Sequence, residues 1–122
     1  MISKEQELFD LIKKNIMPDL KKCKDKGSRY DCYSIEHNID IELKCRRTHY
    51  DNLMIERDKY RALVIRSKEK NTIPIYINST PSGVWSFKIN DLPVPSWENK
   101  YMPQTTDFSD QENVLKEVGY YN

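Results

Sequence analysis

Residues 38–46 carry the clearest pattern in the chain, because apolar and charged side chains alternate there without interruption. A period of two is typical of a β-strand whose two faces meet different surroundings. One face receives the apolar side chains Ile39, Ile41, Leu43 and Cys45. The other face receives a charged row, which consists of Asp40, Glu42, Lys44 and Arg46. The pattern predicts a half-buried strand with its apolar face in the core and the charged row facing outward.

The apolar spacing elsewhere predicts two helices and two more strands. Apolar residues recur at helical intervals over residues 4–16, and again from Asp58, a candidate cap, to about Glu69. Alternating residues predict strands over 72–80 and 84–89, separated by a turn that contains Pro and Gly. A helix is therefore expected to precede the alternating strand, and a helix with two strands is expected to follow it.

Residues 29–36 are expected to form a further strand that pairs antiparallel with the alternating strand. A tight turn at His37-Asn38 would join the two, since Asn tolerates a positive φ angle. Centring the turn there places Asp31 opposite Lys44 and one diagonal step from Glu42. Diagonal neighbours across two strands lie within reach of a shared ion.

The chain has 122 residues, which is the size of one domain. We expect residues 1–90 to form the core and residues 91–122 to form a C-terminal extension packed on it. The extension holds three prolines and shows no clear period. An extended path is therefore expected, with one turn of helix near residues 113–118 and with Trp97 and Tyr101 packed on the core.

The net charge of +1 conceals an uneven distribution. Residues 13–29 hold seven Lys or Arg against two Asp, and residues 44–70 hold nine against four acidic residues. Residues 91–122 hold only two Lys against six acidic residues. The low total excludes a strong and uniform grip on nucleic acid, but the first two-thirds of the chain have charge enough for one basic face.

Cysteine usage and apolar runs indicate an intracellular, cytoplasmic protein. The odd set Cys23, Cys32 and Cys45 lacks the spacing of a metal site, so we expect reduced thiols. No apolar run approaches the ~18 residues of a membrane span, and no signal peptide opens the chain.

The charged row offers a specific chemistry. Glu42 and Lys44 lie two residues apart on one face, so their Cβ atoms are separated by about 7 Å. A carboxylate that holds a divalent cation, beside a lysine that reaches the same reacting centre, suits the hydrolysis of phosphodiesters. The same alternation also occurs on strands whose charged face is simply exposed to water. The sequence alone therefore leaves open whether Glu42 and Lys44 form a catalytic pair or belong to a solvated surface.

The order of helix, hairpin, helix and two strands, with an Asp followed by Glu-x-Lys, resembles the PD-(D/E)xK nuclease superfamily. That superfamily has the restriction-endonuclease-like fold. The matching residues are Asp31 and, eleven positions later, Glu42-Leu43-Lys44, and the resemblance covers roughly residues 3–89. The chain is similar to small phage-type members, including the Holliday-junction-resolvase branch, in which a Glu on a helix adds a metal contact. Glu5 would take that position.

The resemblance implies a single α/β domain with a central mixed β-sheet flanked by two helices. It implies an ion of Mg²⁺ or Mn²⁺ held by Asp31 and Glu42, and Lys44 as the catalytic lysine that orients or polarises the attacking water. The carbonyl of Leu43 is expected to complete the protein ligands. Asp40 shares the face of Glu42 and remains an alternative to Asp31.

The resemblance also implies DNA as the partner. Arg46, Arg47 and Lys59 are expected to contact its phosphates. A homodimer would suit a junction resolvase, which needs two active sites. The rival hypothesis is a non-catalytic adaptor on the same fold that binds nucleic acid or a protein.

Overall fold

The structure is a computed structural model that describes residues 4–23, 31–103 and 113–121. The helices in these ranges are α1, Glu5–Asn15, and α2, Arg57–Lys70. The strands are β1, Lys21–Lys22; β2, Asp31–Ser34; β3, Ile39–Cys45; β4, Leu53–Glu56; β5, Ile73–Thr80; β6, Gly83–Lys88; β7, Glu98–Pro103; and β8, Asn113–Tyr121. A short 3-10 turn, Ile89–Asp91, follows β6.

Five strands form a mixed sheet in the order β1-β2-β3-β5-β6. The first three are antiparallel neighbours, and β5 and β6 form an antiparallel hairpin. Strands β3 and β5 run parallel, so the chain must cross over between them, and α2 lies in that crossover. The prediction of a single α/β domain with two helices and a central mixed sheet is confirmed.

The two helices cover opposite faces of this sheet. Helix α1 buries its apolar stripe against the apolar face of β3, in a cluster that contains Leu8, Phe9, Ile12, Ile39, Ile41 and Leu43. Helix α2 lies over the other face, where Leu63 packs with Tyr76 of β5 and Ile55 of β4. Fully burying an aliphatic side chain such as Leu8 or Leu63 stabilises the fold by about 1.5–3 kcal/mol.

The charged row of β3 does not face solvent, which corrects the sequence-based expectation. Asp40 has no exposed surface and Glu42 is only 7 % exposed. The physical reason is the parallel crossover, because it places α2 directly over the face that the row occupies. The carboxylates are therefore buried groups that need partners, and a solvated strand face no longer explains the alternation.

The turn between β2 and β3 is longer than predicted. It occupies residues 35–38 and ends with Asn38, whose φ angle of 55° is the left-handed conformation expected there. Because two more residues enter the turn, Ser34 pairs with Ile39 and Asp31 lies opposite Glu42 rather than Lys44. A shift of two residues keeps each side chain on the same face of the sheet. Asp31 therefore lies on the face of Glu42 and Lys44, as predicted.

Helix α2 also begins differently from its prediction. Strand β4 runs directly into the helix, which starts at Arg57 with Glu56 as the preceding residue. Asp58 therefore lies in the first turn and is not the cap. Leu63 and Ser67 are buried as expected, and Asn71 ends the helix in the left-handed conformation.

The C-terminal strands β7 and β8 join β4 in a second sheet, of order β4-β8-β7. The predicted turn of helix at residues 113–118 is wrong, because β8 spans this segment and pairs with both β4 and β7. Trp97 packs edge-on against Tyr60 of α2, with ring centroids 5.3 Å apart, whereas Tyr101 is 72 % exposed and does not pack as predicted. The division of the chain at residue 90 remains a prediction. No helix in the described ranges is long and apolar enough to cross a membrane.

Candidate active site

Asp31 and Glu42 are direct cross-strand neighbours on β2 and β3. Residues paired in this way project from the same face of a sheet, with Cβ atoms about 4.5–5.5 Å apart. Both side chains are buried, with residue exposures of 3 % and 7 %. The structure thus brings the two predicted ligands together more closely than the diagonal arrangement expected from the sequence.

Glu42 is the least compensated of these buried carboxylates. The structure shows no ion pair between it and any residue of the ranges 4–23, 31–103 and 113–121. Its neighbour on β5 is Tyr76, whose hydroxyl donates a 2.6 Å hydrogen bond to the carbonyl of Met54 instead. A buried carboxylate without a counter-ion is costly, and such groups concentrate at functional sites.

Asp40, the alternative ligand, is already surrounded by donors. Its Oδ1 lies 3.1 Å from Nε of Arg66 and 2.9 Å from Nζ of Lys70, and its Oδ2 accepts a hydrogen bond from the Thr72 hydroxyl. Burial alone raises the pKa of Asp40, but the bonds from Thr72, Lys70 and Arg66 outweigh burial, and its pKa is lowered. Both oxygens of Asp40 are thus engaged, which makes Asp31 the more accessible ligand.

Asp31 forms fewer ion pairs than Asp40. Its Oδ2 lies 3.2 Å from Nη1 of Arg66, the same guanidinium that contacts Asp40. Only Oδ2 of Asp31 takes part in this ion pair, and Oδ1 does not. Arg66 was not identified from the sequence, and only its place on the inner side of α2 reveals its function as a counter-ion.

Lys44 follows Glu42 on the same face of β3 and pairs with Asn78 of β5. It is half-buried, and its pKa is lowered to about 8, chiefly because burial disfavours the ammonium and secondarily because of the positive charge of Arg46. Glu56 and Glu5 act in the opposite direction. A lysine that titrates near neutrality is suited to both proton transfer and charge stabilisation.

Asn78 is a second residue that sequence reasoning missed. It is fully buried, and neither atom of its amide group meets a partner at hydrogen-bond distance and angle in the described part of the chain, although the amide acts against the burial that raises the pKa of the neighbouring Tyr76. The period of β5 places Asn78 on the face of Tyr76, but only the parallel register brings it beside Lys44. An unpartnered buried amide lowers stability, so its presence here calls for a functional explanation.

Glu5 begins α1 and is half-buried. Its negative charge raises the pKa of Lys44 and also that of Cys45, which places it near the C-terminal end of β3. The side chain of Leu43 faces α1 and is 2 % exposed, so only its carbonyl is available as a ligand. Metal contacts by Glu5 and by the Leu43 carbonyl stay predictions.

The three predicted phosphate-binding residues have different surroundings. Arg46 is half-buried, and its Nη2 donates a 2.9 Å hydrogen bond to the carbonyl of Met54. It therefore helps to hold β4 against the end of β3. Arg47 is exposed and Lys59 is half-buried in the first turn of α2. Phosphate binding by these residues stays a prediction.

A separate acidic group lies at the β2–β3 turn. Within the described ranges, Asp19, Glu36 and His37 are the group of three whose ligand atoms all lie within 4.8 Å of one another. Asp19 already accepts hydrogen bonds from the backbone N–H of Glu36 at 3.0 Å and the hydroxyl of Ser34 at 2.6 Å, and these bonds lower its pKa. The arrangement is explained by stabilisation of the turn.

Comparisons with known proteins returned no relative: no family model, no curated protein and no solved structure matches this chain. A functional interpretation therefore rests on the geometry of the residues themselves.

Proposed function

We propose that this chain is a divalent-metal-dependent endonuclease that hydrolyses DNA phosphodiesters, with Mg²⁺ or Mn²⁺ as its cofactor. The observation that carries the proposal is the cross-strand pair of Asp31 and Glu42, in which Glu42 has no counter-ion within the described ranges. Two buried carboxylates on adjacent strands suit a hard cation that prefers oxygen ligands.

The topology supports the same proposal. Helix α1, the antiparallel strands β1, β2 and β3, helix α2 and strand β5, which is parallel to β3, occur in this order along the chain, with the short strand β4 between β3 and α2. We propose that these elements form a restriction-endonuclease-like core. Strand β1 is short, with residues Lys21–Lys22 alone, and in the proposed core it would be the strand that precedes the β2–β3 hairpin.

Each residue has a distinct task in the proposed reaction. The bound cation would supply Lewis acidity for the attacking water and the leaving oxygen. Asp31 and Glu42 would hold it, and their burial under α2 would keep bulk water from competing for the site. Lys44, two residues from Glu42 on the same face, would orient the water and offset the charge that develops on the phosphoryl oxygens.

A non-catalytic adaptor on the same fold is the second candidate. The observation in its favour is that Arg66 and Lys70 neutralise Asp31 and Asp40 from within the protein. An adaptor that binds nucleic acid or protein would keep this network for stability alone. Cleavage assays separate the two candidates, since an adaptor binds without cutting.

The experiment incubates the full chain with duplex, single-stranded and branched DNA in the presence of Mg²⁺, Mn²⁺ or EDTA. We expect cutting that EDTA abolishes and that Lys44→Ala or Glu42→Gln reduces by ~10²–10³-fold. Lys88→Ala and Glu69→Gln, which change exposed residues outside the site, are the matched controls and should cut normally. Cutting by Lys44→Ala at the wild-type rate would remove this lysine from the mechanism.

Absence of cutting on all three substrates, with DNA still bound, would favour the adaptor. If branched DNA is the preferred substrate, we expect a homodimer, because resolution of a junction requires two cuts. Light scattering on the protein with and without a branched substrate measures this directly.

A further inference from the structure

Arg66 joins two of the three buried carboxylates on the α2 face of the sheet. Its Nη1 lies 3.2 Å from Oδ2 of Asp31, and its Nε lies 3.1 Å from Oδ1 of Asp40. One guanidinium thus bridges two carboxylates from neighbouring strands. A pair of neighbouring carboxylates is also the kind of oxygen-ligand set that a divalent cation prefers.

The charges on this face are unevenly compensated. Asp40 has no exposed surface and is contacted by both Arg66 and Lys70. Asp31 is contacted by Arg66 through one oxygen. Glu42, which is 7 % exposed, forms no ion pair within the described residues, although it lies directly opposite Asp31. The uncompensated negative charge is therefore concentrated between Asp31 and Glu42.

We propose that the guanidinium of Arg66 is a built-in counter-cation that occupies the second cation position, so that the site takes one divalent ion, between Asp31 and Glu42. This inference rests on the proposed function. A second divalent ion near Asp40 would need to displace the guanidinium from two buried carboxylates and would meet the charge of Lys70 as well. Repulsion between a divalent ion and the neighbouring cationic side chains would be strong, because water screens charges poorly in the protein interior.

With a single divalent ion at the site, any further positive charge that stabilises the phosphoryl oxygens in the transition state would have to come from a protein side chain. Lys44 is the cationic side chain that follows Glu42 on this face of β3. The proposed mechanism therefore uses one divalent ion together with Lys44.

The test is the number of Mn²⁺ ions bound per chain, measured by isothermal titration calorimetry and electron paramagnetic resonance on the full-length protein. We expect one ion for the wild type and two for Arg66→Met, which removes the guanidinium but keeps an unbranched side chain. Lys70→Met is the matched control. It removes a charge that contacts Asp40 but leaves Arg66 in place, so it should still bind one ion.

Two ions in the wild type, or one ion in Arg66→Met, would overturn the inference and leave the proposed nuclease function intact. No ion bound to a folded wild type, together with no cutting in Mg²⁺ or Mn²⁺, would overturn both. These outcomes separate a failure of the metal count from a failure of the function.

A measurement on the wild type alone covers the case in which Arg66→Met does not fold. The Nε–H resonance of Arg66 reports its bond to Asp40 in nuclear magnetic resonance spectra. We expect this resonance to stay protected from solvent exchange when Mg²⁺ is added, because the guanidinium keeps its position. Loss of that protection at saturating Mg²⁺ would show that the ion displaces Arg66, and the inference would fail.

Discussion

Lys44 lies beside Asn78 in the parallel pairing of β3 with β5, and the amide group of Asn78 is fully buried without a hydrogen-bond partner in the described ranges. Replacing an unpartnered buried polar group with an apolar group of similar size removes a desolvation penalty. The free energy of unfolding of Asn78→Leu should therefore lie between that of the wild type and a value about 1 kcal/mol higher.

The same change should lower DNA cleavage if Asn78 positions Lys44 for the reaction, since stability and activity often oppose each other at a site. Urea denaturation and cleavage rates of the same variant measure both effects. Asn90→Leu, at an exposed position, is the control and should leave cleavage unchanged. A destabilised Asn78→Leu would show that the amide makes a favourable interaction in the folded protein.

The electrostatic surroundings of Lys44 give a second prediction, for the metal-free protein. Its pKa of about 8 should rise in Arg46→Gln, which removes a nearby positive charge, and fall in Glu56→Gln, which removes a negative one. Nuclear magnetic resonance titration of the lysine side chains measures these values. Titration of Lys44 near its ordinary value of 10.5 would contradict the burial of its ammonium.

The low pKa of Lys44 also has a signature in stability. Because the unfolded chain binds more protons between about pH 8 and 10.5, the free energy of unfolding should rise with pH across this interval. Relative to Lys44→Met, the wild type should gain roughly 1–3 kcal/mol from pH 7 to pH 10. Urea denaturation at both pH values tests this, and parallel behaviour of the two proteins would contradict it.

Asp40 should stabilise the protein through its network with Arg66 and Lys70. Asp40→Asn should lower the free energy of unfolding by roughly 1–3 kcal/mol at pH 7, because Arg66 and Lys70 lose a charged hydrogen-bond partner, while Arg66 keeps its contact with Asp31. Since the pKa of Asp40 is lowered from 3.8, this contribution is present above that value and is lost as the pH falls through the folded-state pKa. Denaturation at pH 7 and at pH 3 should show the difference from the wild type shrinking in acid.

The thiols of Cys32 and Cys45 should be unreactive in the native state. Burial raises the pKa of each to about 12, and Glu5 and Glu7 add to this at Cys45. Alkylation at pH 8 followed by mass spectrometry should label them only after unfolding. A Cys32–Cys45 disulfide is not expected, because Cys32 pairs across the strands with Ile41.

Binding to duplex DNA should weaken as salt rises, with a slope of about −0.9 per phosphate neutralised. If Arg47 and Lys59 both contact phosphates, replacing both with Gln should reduce the slope by about two. Arg46→Gln should act differently. It breaks the bond to the Met54 carbonyl and should lower stability first. Affinity that does not change with salt would count against nucleic acid as the partner.

Several features followed from local sequence alone. The alternation over residues 38–46 correctly assigned β3 and put Glu42 and Lys44 on one face, because side chains of a strand alternate whatever the strand pairs with. The preference of Asn for positive φ correctly marked Asn38, and the helical period correctly gave Leu63 and Ser67 as the inner side of α2. Each of these depends on interactions between residues close in the chain.

The tertiary structure decided the register and the partners. Asp31 faces Glu42 because the turn takes four residues, and no periodic pattern specifies a turn length. Arg66 neutralises Asp31 and Asp40 from 35 and 26 residues away, and this contact exists only because the parallel crossover lays α2 over the charged row. Residues 113–121 form a strand because pairing with β4 and β7 outweighs the weak local preferences of this segment. Backbone pairing and charge compensation between distant segments thus determine which of the buried carboxylates has no counter-ion in the described part of the chain.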